Sequence, residues 1–378
     1  MSAGAHRSTA LDALRGSAVA LMILVNNPGS WSHLYPPFAH APWHGCTPTD
    51  LVFPFFLFAV GASMAFALDA ATPAREFWPK VIKRVIAIFA IGLFLNASPF
   101  LRWSAEGELV LRSWENLRIM GVLQRIALAY FFAAVMVRTL GARGALRAAV
   151  ALLLGYWTAC EALGGSDPYS LEGFFGTALD RVLLGPTHLY QGEGAPFDPE
   201  GLTSTVPAVA QVLLGHAAGR LLLRQPLDSR LIVRLFSIAC ALLLLGYAWQ
   251  LAMPLNKKLW TSSYVLHTSG LALLALALLA QWLDLQPARG AVATALLAFG
   301  RNALFVFVLS GLVPRVLALI RWREGEAWTS PLPWLYRHLF ATVPGDPRLG
   351  SLAYALAVLA ALVALALWMD RRQLYVRV

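Results

Sequence analysis

The sequence has 378 residues, of which 58% are hydrophobic and 13% are charged, and its formal net charge is +10. Soluble domains carry about 25% charged residues, and no water-soluble core could bury this much apolar side chain. The composition therefore excludes an ordinary soluble domain and predicts an all-α, polytopic helix bundle in a lipid bilayer. Because the basic residues cluster in short loops between apolar runs, the positive charge indicates membrane topology and not nucleic-acid binding.

Ten apolar segments are long enough to cross a bilayer as helices of about 20 residues. In chain order they are 11–27, 50–70, 81–99, 119–138, 145–163, 206–223, 231–252, 262–283, 292–314 and 350–369. The segment 320–340 is too broken to span and is predicted to lie at the membrane interface. We therefore expect about ten transmembrane helices in a single domain over residues 1–378.

The distribution of Lys and Arg predicts the orientation of this bundle. If the N-terminus is cytoplasmic, the cytoplasmic segments hold most of the basic residues, and both termini are then cytoplasmic. The first apolar run is interpreted as a retained helix and not a cleaved signal. The outer loops would cover about 28–49, 164–205 and 315–349.

The first outer loop and the apolar run after it read "FAHAPWHGCTPTDLVFPFFLFAVG" from residue 38 to residue 61. His40 and His44 could take and return a proton near neutral pH, or have only a structural role. Asp50 lies where a helix begins, so it could simply cap that helix. Pro42 interrupts the histidine pair and the three cysteines of the chain have no metal-ligand spacing, so we predict no metal.

Polar side chains at the end of the first helix and inside later helices also need a reason. Asn26, which precedes the helix-stopping segment "NPGS", either ends the helix or orients a histidine and stabilises an oxyanion. Intramembrane polar groups mark cavities or paired sites, or hydrogen-bond between helices. They are Gln124, Arg125, His216, Arg301 and Asn302.

Basic residues near the cytoplasmic helix ends have two interpretations. Asp12 and Arg15 are three residues apart on one helix face and are expected to pair. Lys83 and Arg84, in "KVIKR", follow the topology rule but would also attract the phosphates of a nucleotide. No Walker or GxGxxG loop accompanies them, so the sequence is not that of an NTPase or dehydrogenase.

Six segments occur in an order that resembles the heparan-α-glucosaminide N-acetyltransferase family of transmembrane acetyltransferases, including its bacterial relatives. They are "LDALRGSAVALMILVNN", "FAHAPWHGCTPTDLVFPFFLFAVGASM", "LRIMGVLQRIALAY", "HLYQGEGAPFDPEGLTST", "NKKLWTSSYVL" and "FGRNALFVF". The resemblance runs from about residue 8 to residue 310. It implies transfer of an acetyl group from cytoplasmic acetyl-CoA to an amino sugar on the periplasmic side of a bacterial inner membrane.

The resemblance also implies which residues act. The family motif H-A-x-W-x-G-x-T corresponds to residues 40–47, so His40 would be the catalytic base, assisted by Asn26 and Asp50. Two departures are expected: Met120 stands in place of a proline, and we expect no counterpart of the large luminal domain that precedes the first helix in lysosomal members. We therefore expect a hexosamine-type acceptor instead of a long polysaccharide. Family resemblance also suggests a homodimer.

The remaining assignments are hypotheses built on this resemblance. The residues assigned to acetyl-CoA are Arg125, Gln124, Arg15, Lys83, Arg84 and Asn302. Those assigned to the sugar are Trp43, His44, Asp198 and Glu200, although the last two, in "FDPEG", could equally form a turn. Direct transfer is favoured over an acetyl-histidine intermediate because it needs no relay of the acetyl group. The sequence itself does not distinguish the two routes.

Other functions remain open from the sequence. A sugar transporter or permease would use the same polar helix groups without an acyl donor. An O-acyltransferase would modify a surface glycan, and a non-catalytic scaffold would leave the many intramembrane polar groups without a purpose.

Overall fold

The computed structural model describes residues 8–68, 72–286 and 290–376. Its helices are α1 Thr9–Asn26, α2 Val52–Ala67, α3 Ala74–Ala97, α4 Val122–Leu163, α5 Phe175–Leu184, α6 Thr205–Arg224, α7 Ser229–Trp249, α8 Ser262–Leu279, α9 Ala291–Arg301, α10 Ala303–Leu317, α11 Pro331–Leu335 and α12 Pro347–Arg371. Two antiparallel hairpins pair β1 (Leu101–Trp103) with β2 (Leu109–Leu111), and β3 (Trp322–Glu324) with β4 (Ala327–Thr329).

The helices are those of a helical membrane protein, as the composition predicts. Within the described ranges, seven helices are long and apolar enough to cross a membrane, or eight if the bent pair α9 and α10 forms one span. The number ten stays a prediction. It depends on α3, which carries Lys80, Lys83 and Arg84 in its first half, and on treating α4 as two helices.

Helix α4 is where the prediction and the structure differ most. The two predicted spans 119–138 and 145–163 lie in one 42-residue helix. Gly141 breaks it, with φ 66° and ψ 178°, a left-handed conformation that glycine adopts without steric cost. The break falls between the two predicted spans, so the chain can change direction there without an intervening loop.

The long loops meet at one face of the bundle, here called the loop face. Hydrogen bonds tie them together: the Gly45 N–H donates to the Leu255 carbonyl at 2.7 Å. The described chain ends lie at the opposite face, here called the terminal face. There the Ser8 hydroxyl donates to Asp284 at 3.1 Å, and the Val376 N–H donates to the Asn302 side chain at 3.0 Å.

Glycines allow neighbouring helices to approach closely, as is common between membrane helices. A Cβ atom at Gly61 of α2 would overlap the carbonyl oxygen of Val212 in α6. A Cβ atom at Gly300 of α9 would overlap the carbonyl oxygen of Asp12 in α1. These contacts fix α2 against α6 and α1 against α9.

The broken segment 320–340 forms no helix of spanning length among the described residues, as predicted. It contains the β3–β4 hairpin, the five-residue α11 and a π-helical turn over Tyr336–Phe340. Arg321 lies between the rings of Trp103 and Trp328, at 3.6 and 4.2 Å from their centroids. This cation–π contact joins the two hairpins across the loop face.

Candidate active site

A cavity of about 240 Å³ opens on the loop face, here called the loop-face cavity. Four separate segments of the chain build its wall, so no single motif defines it. The loop before α2 provides a histidine, a tryptophan and a carboxylate, and the other loops provide most of the charge. The charged and aromatic lining residues are His40, Trp43, Asp50, Arg118, Tyr190, Glu193, Glu200, Lys257 and Lys258.

Asp50 both starts a helix and holds His40. It lies in the 3-10 turn Pro48–Leu51 that leads into α2, where Thr47 and Asp50 form a reciprocal capping box. The same buried carboxylate accepts from the N–H of Ala41 at 3.0 Å and from His40 Nδ1 at 2.7 Å. The two sequence interpretations of Asp50, a cap and a histidine partner, therefore describe one carboxylate.

The hydrogen bond to Asp50 sets the tautomer of the neutral His40 ring. An ionised carboxylate can only accept hydrogen bonds, so in the neutral ring the proton lies on Nδ1 and the lone pair lies on Nε2. The His40 side chain is 45% exposed while Asp50 is 1% exposed. The arrangement thus presents a held imidazole to the cavity, as general-base chemistry requires.

Lys257 lies against this pair, although the sequence analysis gave it no role. Its Nζ is 3.1 Å from His40 Nδ1, 3.4 Å from His40 Nε2 and 3.7 Å from an Asp50 oxygen. Burial lowers the pKa of Lys257, and the attraction of Asp50 and Glu200 only partly opposes this effect. The usable signal in the sequence is a pair of lysines in an outer loop, against the positive-inside rule.

Arg118 binds both acids that the sequence analysis assigned to the sugar, but only one of them lines the loop-face cavity. It bonds both oxygens of Asp198, at 2.8 and 2.6 Å, and one oxygen of Glu200 at 2.5 Å. The Asp198 side chain is fully buried and does not line the cavity, so its place is to position Arg118. Burial would raise the pKa of Glu200, but Arg118, Arg125 and Lys257 outweigh it and the pKa is lowered.

Aromatic rings form two sides of the loop-face cavity. Trp43 donates from Nε1 to the Tyr169 carbonyl at 2.7 Å, which holds its ring in place. The ammonium of Lys258 lies 5.4 Å from the centre of the Trp43 ring and bonds Glu193 at 2.6 Å. Rings with fixed orientation beside charged groups suit a ligand with one apolar face and several polar edges.

Three groups near the motif lie elsewhere. His44 is exposed, does not line the cavity, and its Nδ1 is 3.4 Å from Asn256. Asn26 lines a different cleft of about 540 Å³, beside Tyr336, so the structure does not bring it to His40. Burial, with a contribution from Asp50, raises the pKa of Cys46 to about 12 and makes this thiol a poor nucleophile.

A second cavity, of about 380 Å³, opens on the terminal face, here called the terminal-face cavity. Its charged lining consists of three arginines and Asp12, which pairs with Arg15 as the sequence predicts, and most of its other lining is apolar. Residues 56, 60, 63 and 67 of α2 line it, a spacing that places them on one helix face. They extend over about 16 Å of α2, and Phe56 lies about 9 Å along the chain axis from Asp50. The arginines are Arg15, Arg84 and Arg301.

Two of the six residues assigned to acetyl-CoA line this cavity, namely Arg15 and Arg84. Lys83 is exposed and does not line it. Arg301, which the sequence analysis noted without assigning it to acetyl-CoA, does line the cavity and pairs with Asp370 at 2.7 Å. In the described part of the chain, the Arg84 Nε and the Ser63 hydroxyl are buried without a hydrogen-bond partner, so the cavity offers polar groups to a ligand.

The other three assigned residues do not line the terminal-face cavity. Gln124 donates to the Ile119 carbonyl at 3.0 Å, and Arg125 donates to the Gly201 carbonyl at 3.3 Å. Asn302 donates to the Leu374 carbonyl at 3.2 Å and so fixes the C-terminal segment at the terminal face. All three side chains are buried and lie outside the terminal-face cavity. Each donates a hydrogen bond to a backbone carbonyl near a helix end or break.

A group of three or more His, Cys, Asp or Glu side chains that could hold a metal is not found among residues 8–68, 72–286 and 290–376. His216, also noted from the sequence, is buried in α6. Neither observation adds a residue to the two cavities.

The helices and the two opposed cavities define a polytopic helical membrane protein with a polar site at each face. The family model "Heparan-alpha-glucosaminide N-acetyltransferase, catalytic" matches residues 7–253, and the chain belongs to this family. The sequence resemblance is therefore confirmed. The matched range includes His40 and Asp50 and ends just before Lys257.

Two curated relatives give the same result. The chain is 28% identical over 342 residues to the heparan-alpha-glucosaminide N-acetyltransferase of Homo sapiens and 28% identical over 339 residues to that of Mus musculus. These alignments cover 76% and 75% of this chain and 50% of each relative. The chain thus spans about half the length of the curated relatives that it matches.

Proposed function

We propose that this protein is a membrane-embedded acetyltransferase that moves an acetyl group from acetyl-CoA to the amine of a glucosamine-type sugar. One observation carries the proposal: His40, held by Asp50 through Nδ1, presents its Nε2 side to a polar cavity at one end of α2. An arginine-lined cavity follows the same helix from the opposite face. The names of the two relatives support the acyl group and the class of acceptor.

The terminal-face cavity would hold the donor. Arg15, Arg84 and Arg301 would bind the phosphates of CoA, which match guanidinium groups in charge and geometry. The apolar stripe of α2, from Ala67 to Phe56, would contact the thin pantetheine arm. The thioester must still cover the last 9 Å or so to reach Asp50, so Phe56 and its neighbours would have to move aside during the reaction.

The loop-face cavity would hold the acceptor and perform the chemistry. His40 Nε2 takes a proton from the amine as the nitrogen attacks the thioester carbon. The new C–N bond forms, the C–S bond breaks, and His40 returns the proton to the leaving thiolate. Asp50 keeps the ring in the required tautomer and stabilises its protonated form. A general base of this kind contributes about 10²–10⁴-fold.

Sugar recognition would use the remaining walls of the loop-face cavity. The ring of Trp43 offers an apolar face for the sugar ring, and Glu193 and Glu200 offer negative charge to an ammonium or hydroxyl group. Asn26 and His44 are not part of this proposed set because neither lines the loop-face cavity in this conformation.

The proposed direction of acetyl transfer across the membrane follows from the distribution of basic residues. Because basic residues favour the cytoplasmic side, the terminal face would be cytoplasmic and the loop-face cavity periplasmic, in a bacterial inner membrane. Acetyl-CoA would then enter from the side where it is made, and the sugar would be modified on the other. A homodimer is compatible with this scheme but contributes no residue to it.

The experiment uses purified protein in sealed proteoliposomes with labelled acetyl-CoA inside or outside and glucosamine on the opposite side. Acetyl transfer to glucosamine across the bilayer is the expected result. Sugar uptake that needs no acetyl-CoA would identify a transporter instead, and labelling of hydroxyl-only sugars would identify an O-acyltransferase. Label retained on the protein after incubation with acetyl-CoA alone would favour the acetyl-histidine route.

A further inference from the structure

The group closest to the proposed base is a cation that no sequence motif assigns. Lys257 Nζ lies within 3.4 Å of both His40 ring nitrogens and 3.7 Å from Asp50. Its side chain is 19% exposed and lines the loop-face cavity, so a ligand there can touch it. Lys257 therefore has access both to the proposed acceptor and to the imidazole.

The bonding pattern around His40 argues against a purely structural ion pair. The Nδ1 proton already binds Asp50, and the remaining donors to that carboxylate are the N–H groups of Ala41 and Thr47 and the Thr47 hydroxyl. Asp50 is thus satisfied without Lys257, whose contact with it is longer than a hydrogen bond. Lys257 forms an ion pair with Asp50 but is not needed to complete the hydrogen bonds of that carboxylate.

The proposed reaction needs one more proton acceptor than His40 provides. An aliphatic amine is largely protonated at neutral pH, so the acceptor arrives as an ammonium ion with no lone pair for attack. It must lose one proton before attack and a second as the amide forms. Nε2 of His40 can hold only one of these at a time.

We propose that the loop-face cavity contains two proton acceptors, Lys257 and His40. Lys257 takes the first proton from the ammonium form of the sugar amine, and His40 takes the second proton during attack. The inference rests on the proposed function. Neutral Lys257 becomes an ammonium ion as the sugar nitrogen becomes a free amine. Attack then forms the C–N bond and breaks the C–S bond. His40 passes its proton to the thiolate, and Lys257 releases its own to water. The net products are the amide, CoA thiol and one proton.

The surrounding charges and burial determine the pKa of Lys257. The groups facing it are His40 and Asp50 from the loop before α2, Glu200 from the loop before α6, and its neighbour Lys258; the Cys46 thiol is also close enough to interact. Burial lowers the Lys257 pKa, with Lys258 acting in the same direction. Neutral Lys257 is consequently present at a lower pH than for a free lysine, which is the direction that a proton acceptor needs.

The test is the pH dependence of kcat/KM for glucosamine in Lys257→Arg. Arginine is positively charged throughout this pH range and cannot act as a proton acceptor. The inference requires the Lys257 pKa to lie below that of the sugar amine, so kcat/KM of the wild type should be flat between these two pKa values. The variant can use only the sugar that is already neutral, so its kcat/KM should fall about tenfold per pH unit below the pKa of that amine. Near and above that pKa the two proteins should converge.

Two further variants keep the test decisive. Lys257→Met should show the same slope, which covers the case in which arginine does not fit. Lys258→Arg makes the same change at the next residue, and it should alter KM for glucosamine while leaving the pH profile flat. Acetyl-CoA binding and thermal unfolding of each purified variant establish that it is folded.

Either of two outcomes would overturn the inference: a flat profile for both Lys257 variants, or an equal loss at every pH. The proposed function fails separately, if the wild type itself transfers no acetyl group to glucosamine.

Discussion

The two cavities are built in different ways. The terminal-face cavity is made by helices, and its α2 wall repeats at residues 56, 60, 63 and 67. The loop-face cavity is made by loops from four parts of the chain, and its charged groups are bound to one another. Helices thus line the terminal-face cavity with residues repeated along one face of α2, while loops bring together the groups that perform the proposed chemistry.

The difference also concerns charge. In the loop-face cavity, Arg118 and Lys258 are satisfied by acids, so each charge has a fixed position. In the terminal-face cavity, Arg15 pairs with Asp12 and Arg301 pairs with Asp370, but the buried Nε of Arg84 has no hydrogen-bond partner in the described part of the chain. A preorganised site suits catalysis, and a site with free donors suits a ligand that brings its own charge. The following predictions test this comparison, from the largest expected effect to the smallest.

Replacing the proposed base should have the largest effect. His40→Ala should lower the rate of acetyl transfer to glucosamine by about 10²–10⁴-fold, because no other free imidazole lines the described loop-face cavity. Acetyl-CoA binding, measured by thermal shift, should be unchanged, since the terminal-face cavity is intact. Full activity of His40→Ala would remove this residue from the site.

Replacing an arginine of the terminal-face cavity should affect only the donor. Arg84→Gln should raise KM for acetyl-CoA about tenfold, the loss of one charge-assisted hydrogen bond to a phosphate, with kcat little changed. Lys83→Gln is the matched control, because the adjacent Lys83 is exposed and outside the cavity. Equal effects of the two substitutions would indicate general attraction by the basic surface and not a specific site.

Replacing an acid of the loop-face cavity should affect only the acceptor. Glu200→Gln should raise KM for glucosamine about fivefold, since one net hydrogen bond contributes about 1 kcal/mol. KM for acetyl-CoA should stay the same in initial-rate measurements. Glu172→Gln is the control: Glu172 belongs to the same long loop but is 65% exposed and pairs with Arg181. A rise in KM for acetyl-CoA instead would contradict the separation of the two cavities.

The smallest effect is expected at the second histidine. His44→Ala should change kcat/KM by less than about twofold, as for most exposed positions outside a site. The measurement is the same initial-rate assay used for His40→Ala. Equal loss in both variants would mean that the two histidines act together, which this conformation does not provide.

Two kinds of pattern made part of the molecule predictable. Apolar runs of spanning length located the helices, because a bilayer imposes both length and hydropathy on each crossing. Local spacing placed His40 ten residues before Asp50 and Trp43 between them, and these three do line one cavity. Arg15 and Arg84 were assigned to acetyl-CoA because basic residues near the cytoplasmic helix ends would attract phosphates, and both line the terminal-face cavity.

Other assignments from the sequence are not supported by the placement of the residues. Arg125 and Asn302 resemble ligand-binding groups because buried polar residues in a membrane often are, yet here they satisfy backbone carbonyls. Asp198 and Glu200 are two residues apart, but Arg118 holds the first out of the cavity and leaves the second within it. Composition and spacing cannot separate such neighbours, because the side-chain direction depends on a partner some eighty residues away.

By itself, the sequence determined that this chain is a helical membrane protein of an acetyltransferase family, with His40 and Asp50 close together. Those features depend on residues that are neighbours along the chain or on the demands of the bilayer. Only the tertiary structure placed Lys257 beside His40 and joined Arg118 to Glu200. These contacts link loops that are far apart in sequence, and they exist only once the helices have packed.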